Sequence, residues 1–376
     1  MAKIYFATNR DVRFNRRGKL KGFGKRFHKD GPQMFRVGEA MVQGADPFAD
    51  KGWKVTARKI YPESKTKSKE VVGSANLFEG LRKRLKDGCT DMIIYLHGFA
   101  NDFDNSAIRA AQLQSLYGEK GKEAIVVFFG WPSNGEVVPS FSNYRSDRHD
   151  AKLSGVAMAR MLHKLVAFLM ELRRQDQELL LAARDAHGGI PDPKDLKQCD
   201  RKIHVVAHSM GNWALRHAVL EFAELYGGRR LPRIFEHVFL MAADEDSDAL
   251  SDREKLGMLL DLGNQIHVYH AKDDIPLQVS DRTKSNPDRL GAQGPEDLDL
   301  LDSRIVTVDC RDVSDTHGEV THGRHQYYRT RKEVVQDVVA TLRGEPQQGR
   351  SGRTETRTGR SWRIKDNNDK PHRPRK

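Results

Sequence analysis

The chain has 376 residues, 38% hydrophobic and 31% charged, with a formal net charge of +12. That length and apolar content can bury a core holding an enclosed site, and they exclude a wholly disordered chain. The opening residues form no leader-like apolar core, and no segment reaches the roughly 18 uninterrupted apolar residues of a membrane span. The three cysteines, Cys89, Cys199 and Cys310, are far apart and lack paired or metal-ligand spacing. These features predict a cytoplasmic protein with reduced thiols, no transmembrane segment and no bound metal.

In chain order, the first distinctive stretch is Arg10 to Lys29, where Phe14, Phe23 and Phe27 interleave with arginines and lysines. It reads as a surface loop anchored by its aromatics, with RNA or lipid headgroups as the alternative neighbours. Gln33 to Gln43 and Trp53 to Tyr61 partly alternate apolar with polar residues and predict an antiparallel hairpin at a sheet edge.

Six short, nearly continuous apolar runs follow: Met92 to Leu96, Ala124 to Phe129, Ile203 to Ala207, His237 to Met241, Gln265 to His270 and Arg304 to Asp309. Strands covered on both faces have this character. Between and after the runs, apolar residues at three- and four-residue spacing predict helices over Leu77 to Lys86, Ala107 to Tyr117, Asp150 to Leu172, Asn212 to Tyr226, Ser251 to Leu262 and Lys332 to Leu342. The alternation specifies an α/β fold, a mostly parallel eight-stranded sheet with helices on both faces and an antiparallel N-terminal edge.

One domain over residues 1–343 is expected. Within it, 173–201 should be a helix extension and then an insertion, and the Gly/Pro/Asp-rich run from Ser280 to Asp302 a lid or a passive loop. Arg343 to Lys376 carries eleven Lys or Arg against four Asp or Glu. The expectation for 344–376 is a disordered basic tail with weak affinity for polyanions.

Residues Ile203 to Leu215 read I-H-V-V-A-H-S-M-G-N-W-A-L, an apolar strand running through Ser209 into a helical pattern. A strand, a sharp turn and a helix with serine at the apex exposes the hydroxyl, and the turn demands small residues two before and two after it. Ala207 and Gly211 meet that demand, giving A-x-S-x-G. The turn also sets the Met210 N–H at a helix N-terminus, where it can face a developing oxyanion.

The strand Met92 to Leu96 ends in His97-Gly98-Phe99-Ala100-Asn101, from which Phe99 or Ala100 can supply a second oxyanion donor. For the acid, Asp274 and Asp273 follow the strand ending at His270, while Asp244 and Asp246 follow the strand before it. For the base, His317, His322 and His325 lie ahead of the last helix, and spacing alone does not separate His322 from His325. Phe99, Trp131 and Trp213 fall near the expected mouth and could form an apolar acyl pocket.

With these residues the chain resembles the α/β-hydrolase superfamily, in particular a bacterial branch of unknown function related to esterases and lipases. The resemblance spans roughly Lys3 to Leu342 and includes Ala7-Thr8-Asn9-Arg10, Gly130-Trp131-Pro132-Ser133, Tyr144 with Asp147, Arg289-Leu290-Gly291 and His325-Gln326-Tyr327. It implies Ser209 as nucleophile, Asp274 as acid, His325 as base, and Phe99 and Met210 at an oxyanion hole. It further implies cleavage of a carboxylic ester or related acyl bond in a small-molecule or lipid substrate, without a cofactor. An acyltransferase using the same triad and a catalytically silent, partner- or polyanion-binding domain are the alternatives.

Overall fold

The computed structural model describes residues 1–62, 64–65, 70–71, 73–86, 91–118, 122–135, 141–187, 192, 195–196, 201–281, 288–314, 322–357 and 359–366. From the N-terminus run β1 (Ala2–Thr8), β2 (Arg10–Phe14), β3 (Leu20–Phe27), β4 (Arg36–Gln43), β5 (Lys54–Ile60), and a two-residue ladder of β6 (Ser64–Lys65) with β7 (Glu70–Val71). There follow α1 (Gly73–Lys86), β8 (Met92–Leu96), α2 (Phe103–Leu116), β9 (Ile125–Gly130), α3 (Phe141–His187), β10 (Ile203–His208), α4 (Gly211–Tyr226), β11 (Phe235–Met241) and α5 (Leu259–Leu262). The remainder is β12 (Gly263–His270), α6 (Ile275–Asp281), α7 (Leu290–Gln293), β13 (Ile305–Asp309), α8 (Tyr327–Thr330), α9 (Lys332–Leu342), β14 (Arg353–Arg357) and β15 (Ser361–Ile364).

Among the described residues the main sheet has eleven strands, ordered β14-β15-β13-β12-β11-β10-β8-β9-β1-β4-β5. Every pairing from β1 to β15 across its middle is parallel, and the two outer hairpins, β4–β5 and β14–β15, are antiparallel. The sheet is three strands wider than the eight expected. Strand β1 joins β9 to the predicted hairpin, and β14 and β15 extend the far edge. β8, β9 and β13 are buried at every position, which is why their sequences read as unbroken apolar runs rather than alternations.

Two apolar layers cover the sheet. Leu77 and Leu81 of α1, Met158, Leu162 and Leu165 of α3 and Ala214 and Leu215 of α4 pack on one face. Phe103 and Leu113 of α2, Tyr327 and Tyr328 of α8 and Val334 and Val338 of α9 pack on the other. α3 is far longer than Asp150 to Leu172, because 174–187 has no Gly or Pro and Arg174 pairs with Glu171 at i,i−3 and Glu178 at i,i+4. A stretch of this helix, Ser142–Arg184, is long and apolar enough to cross a membrane, but half of its most apolar window is buried inside the protein. The helix expected over Ser251 to Leu262 is mostly tight turns. Asp252 Oδ1 accepts from the Glu254 N–H, the Asp252 carbonyl accepts from Lys255 and Gly257, and only Leu259–Leu262 is helical.

Residues 353–364 correct the expectation of a disordered tail, since β15 adds in parallel to β13 and β14 folds back on it. The sparse apolar residues sit where they count, with Trp362 and Ile364 both buried. The basic residues are spent in specific pairs. The guanidinium of Arg353 grips the buried Asp337 of α9 and lies 5.7 Å from the Trp362 ring, while Arg350 donates to Thr341 Oγ1 at 2.7 Å. Composition does not reveal this, because it counts charges and not their partners. Without Arg353 the buried Asp337 keeps Tyr269 Oη at 2.6 Å and Arg350 at 3.5 Å but loses its main ion partner, so Arg353→Met should lower unfolding free energy by about 1–3 kcal/mol in urea titration. An unchanged midpoint would mean that this hairpin does not hold to the sheet in solution.

Candidate active site

The C-terminal ends of β8, β10, β11 and β12 meet at one sheet edge, where helices begin and backbone N–H groups point outward. Ser209 follows β10 directly and adopts φ 53°, a left-handed conformation that costs a non-glycine residue on the order of 1–3 kcal/mol. The surroundings hold it there. Ser209 N donates to the Met241 carbonyl at 2.9 Å, and the Ser209 carbonyl accepts from Asn212 N at 3.0 Å and Asp244 N at 3.2 Å.

One of the small residues of the turn, Gly211, is required by backbone contact, and Gly98 faces the turn from the loop of the neighbouring strand. A Cβ on Gly211 would lie 2.5 Å from the Leu96 carbonyl oxygen, and one on Gly98 would lie 2.9 Å from Ser209 Cβ. The loop after β8 therefore sits directly against the serine. That loop also has a left-handed residue, Ala100 at φ 58°. Met210 caps α4 without a side-chain hydrogen bond, so its N–H lies at the positive end of a sixteen-residue helix.

His325 and Asp274 come together from the loops after β13 and β12. Their Nδ1 and Oδ2 atoms are 2.6 Å apart, a charge-assisted geometry in which the imidazole N–H donates to the carboxylate. Asp274 is fully buried and also accepts from Leu277 N at 3.1 Å. Burial pushes its carboxyl above the ordinary value, and the imidazole and the Leu277 N–H oppose the shift. The remaining acid candidates are engaged elsewhere. Asp273 pairs with Arg324 at 2.8 Å and accepts from Ser314. Asp244 accepts from Tyr144 Oη at 2.5 Å, and Asp246 pairs with Arg289 at 2.7 Å. His317 and the side chain of His322 lie outside the described residues.

His208 has a part that the motif does not announce. Its ring is 4.7 Å from that of His325 and stacked on Tyr328 at 4.5 Å, and its Nε2 is 3.0 Å from the His325 carbonyl oxygen. Burial holds this imidazole well below its usual pKa, so it is neutral and can donate to that carbonyl, fixing the loop that carries His325. The available signal was strand alternation, which puts His204, Val206 and His208 on one face of β10.

Arg10 is the second such residue. Fully buried, it donates to the carbonyls of Gly24 at 3.0 Å, Ser133 at 3.3 Å and Asn101 at 2.8 Å, tying β3 and the loops after β9 and β8 to one guanidinium. Burial lowers its pKa to about 10, leaving it charged at neutral pH. Asp147 completes the junction by accepting from Ser133, Asn134 and Ala100.

The expected acyl pocket is corrected in two of its three residues. Trp131 is fully buried, stacked on His97 at 4.7 Å and donating to the His97 carbonyl at 3.0 Å. Trp213 has the Arg148 guanidinium 3.5 Å and that of Arg216 4.9 Å from its ring, with His217 edge-on at 4.6 Å, so its indole is engaged by polar side chains rather than lining an apolar pocket. Phe99 stays at the rim, edge-on to Tyr144 with ring centroids 5.9 Å apart. Of the run from Ser280 to Asp302, residues 282–287 lie outside the described residues, and Arg289 to Ala292 is buried framework. A Cβ on Gly291 would come within 2.2 Å of Ala243 N, and Gly291 N donates to the Ala243 carbonyl.

A family model described as alpha/beta hydrolase of unknown function (DUF900) matches residues 74–173 and 194–343, more than half of the chain. Phe99, Ser209, Met210, Asp274 and His325 all fall inside the match, whereas β1 to β5 precede it. The break between 173 and 194 falls within the segment read as a helix extension and insertion. Comparisons with curated proteins and with solved structures returned no match.

Proposed function

The chain belongs to that family of α/β hydrolases of unknown function, and from this premise we propose that it is a serine hydrolase cleaving a carboxylic ester or related acyl bond. The observation carrying the proposal is the 2.6 Å contact between His325 and the buried Asp274, at the same sheet edge as a serine held at positive φ. A surface histidine has no need of a fully buried carboxylate, whereas a general base needs one to fix its tautomer.

In this reading Ser209 Oγ attacks the substrate carbonyl carbon as His325 Nε2 takes its proton. The carbonyl π electrons move to oxygen, and the oxyanion accepts hydrogen bonds from the Phe99 and Met210 N–H groups. Collapse breaks the bond to the leaving alcohol, which takes the proton from His325 and leaves an acyl-Ser209 ester. Water, giving a proton to the same imidazole, then attacks that ester; the acyl–Oγ bond breaks, Ser209 Oγ takes the proton back from His325, and the acid is released. Asp274 stays ionised and stabilises the transient imidazolium. No step calls for a cofactor, and the intracellular setting expected from the sequence belongs to the same proposal.

The test is a panel of p-nitrophenyl acyl esters of increasing chain length, with products identified by mass spectrometry. Free acid and p-nitrophenol are expected from at least one ester. Acyl transfer to an added alcohol with little free acid would move the assignment to an acyltransferase. A folded protein that turns over none of the panel and accumulates no acyl-enzyme would count against the proposal.

A further inference from the structure

Strands β2 and β3 form an antiparallel ladder of their own, apart from the main sheet. Residues 10–29 contain nine Lys or Arg against a single acid, Asp11. Apart from the buried Arg10 these cations face outward, and Arg13, Arg16, Arg17, Lys19, Lys21 and Arg26 are all exposed. Asp11 is partly occupied within the hairpin, accepting from Arg26 N at 3.0 Å. The aromatics divide in a telling way. Phe23 turns inward, 4.0 Å from Phe103 and 5.3 Å from Phe6, while Phe14, at the end of β2 next to the turn, is 60% exposed.

The hairpin also stands at a particular place. β2 leaves the main sheet just after the C-terminal end of β1, and β1, β9, β8 and β10 are mutually parallel, so it rises from the same edge as Ser209. Arg10 joins its Gly24 carbonyl to the Asn101 carbonyl of the loop carrying Phe99.

We propose that the β2–β3 hairpin is a docking surface for an anionic lipid bilayer, with Phe14 entering the headgroup region and the surrounding cations pairing with lipid phosphates. Docking by this route turns the sheet edge bearing Ser209 toward the bilayer. A single exposed aromatic flanked in the chain by exposed cations suits an interface that is apolar inside and anionic outside. Binding single-stranded RNA calls for several exposed aromatics on which bases stack, and this hairpin presents one. That docking serves delivery of an acyl substrate rests on the hydrolase reading, while the docking itself does not.

The intact chain, its Ser209→Ala variant, Phe14→Ser and the triple variant R16E/R17E/K19E would be sedimented with vesicles of phosphatidylcholine alone or mixed with phosphatidylglycerol. The native chain should partition onto the mixed vesicles only, and less so as salt rises. The triple variant should lose more than about 100-fold in partition and Phe14→Ser about tenfold. Ser209→Ala should bind like the native chain, so failure of the chemistry would leave this result untouched. Equal binding to both vesicle types, a triple variant that binds normally, or tighter binding of a single-stranded RNA oligomer than of the mixed vesicles would overturn the proposal.

Discussion

Ser209→Ala should reduce turnover of any ester that the native chain hydrolyses by about 10⁵-fold, with the residual rate coming from substrate binding and the oxyanion donors alone. The change deletes one oxygen and keeps the Cβ that packs on Gly98, so fold and melting temperature should be preserved. Alanine also relieves nothing at φ 53°, since it is no better suited than serine to a left-handed backbone. Loss of activity without loss of stability is therefore the expected pair of results, read from steady-state kinetics and thermal melts on one preparation. Activity retained within tenfold would mean that another residue attacks.

Asp274→Asn should reduce kcat by about 10⁴-fold with KM little changed. The amide preserves the shape of the buried site and can still accept from Leu277 N. It offers His325 Nδ1 either an N–H or a neutral oxygen. With the N–H facing it, the imidazole must carry its proton on Nε2 and cannot accept one from Ser209. With the oxygen facing it, the imidazolium formed during attack loses its counter-charge. Asp273→Asn is the control. Asp273 pairs with Arg324 and Ser314, so its change should leave kcat within a few-fold of native. A reversed pattern, with Asp273→Asn the damaging variant, would show that the loop after β12 reorganises when substrate binds.

The middle of the sheet was legible in the sequence because parallel strands buried on both faces leave continuous apolar runs, and six such runs became β8 to β13. The strand–turn–helix at Ser209 was legible because its backbone leaves a steric signature, the small residues Ala207 and Gly211 around Ser209. β1 was less so, since Ala2–Thr8 reads as a short apolar opening and nothing local says that it will enter between β9 and β4. The β2–β3 ladder was hidden by its charge, its inward-facing residues being few. Residues 353–364 were hidden in the same way, because arginines whose partners are Asp337 and Thr341 in α9 look like a solvated tail until the partners are seen.

Within the site, sequence order narrowed the acid to four aspartates. Burial and hydrogen bonding, which are tertiary properties, place Asp274 against His325, and this contact is what the proposed role of Asp274 rests on. His208 and Arg10 were not assigned their positioning parts, because both act through backbone carbonyls of residues distant in the chain. The tryptophans were misplaced for a related reason. A large aromatic near a motif is as readily a wall of the core, like Trp131, or a stacking partner for arginines, like Trp213, as the lining of a pocket.

The most direct test of an activated Ser209 is reaction of the native chain with a fluorophosphonate probe, followed by intact-mass measurement and peptide mapping. A single phosphonyl adduct is expected on the peptide containing Ser209, absent in Ser209→Ala and strongly slowed in His325→Ala. A folded native chain that takes up no probe, or an adduct mapping to a different serine, would contradict an activated Ser209.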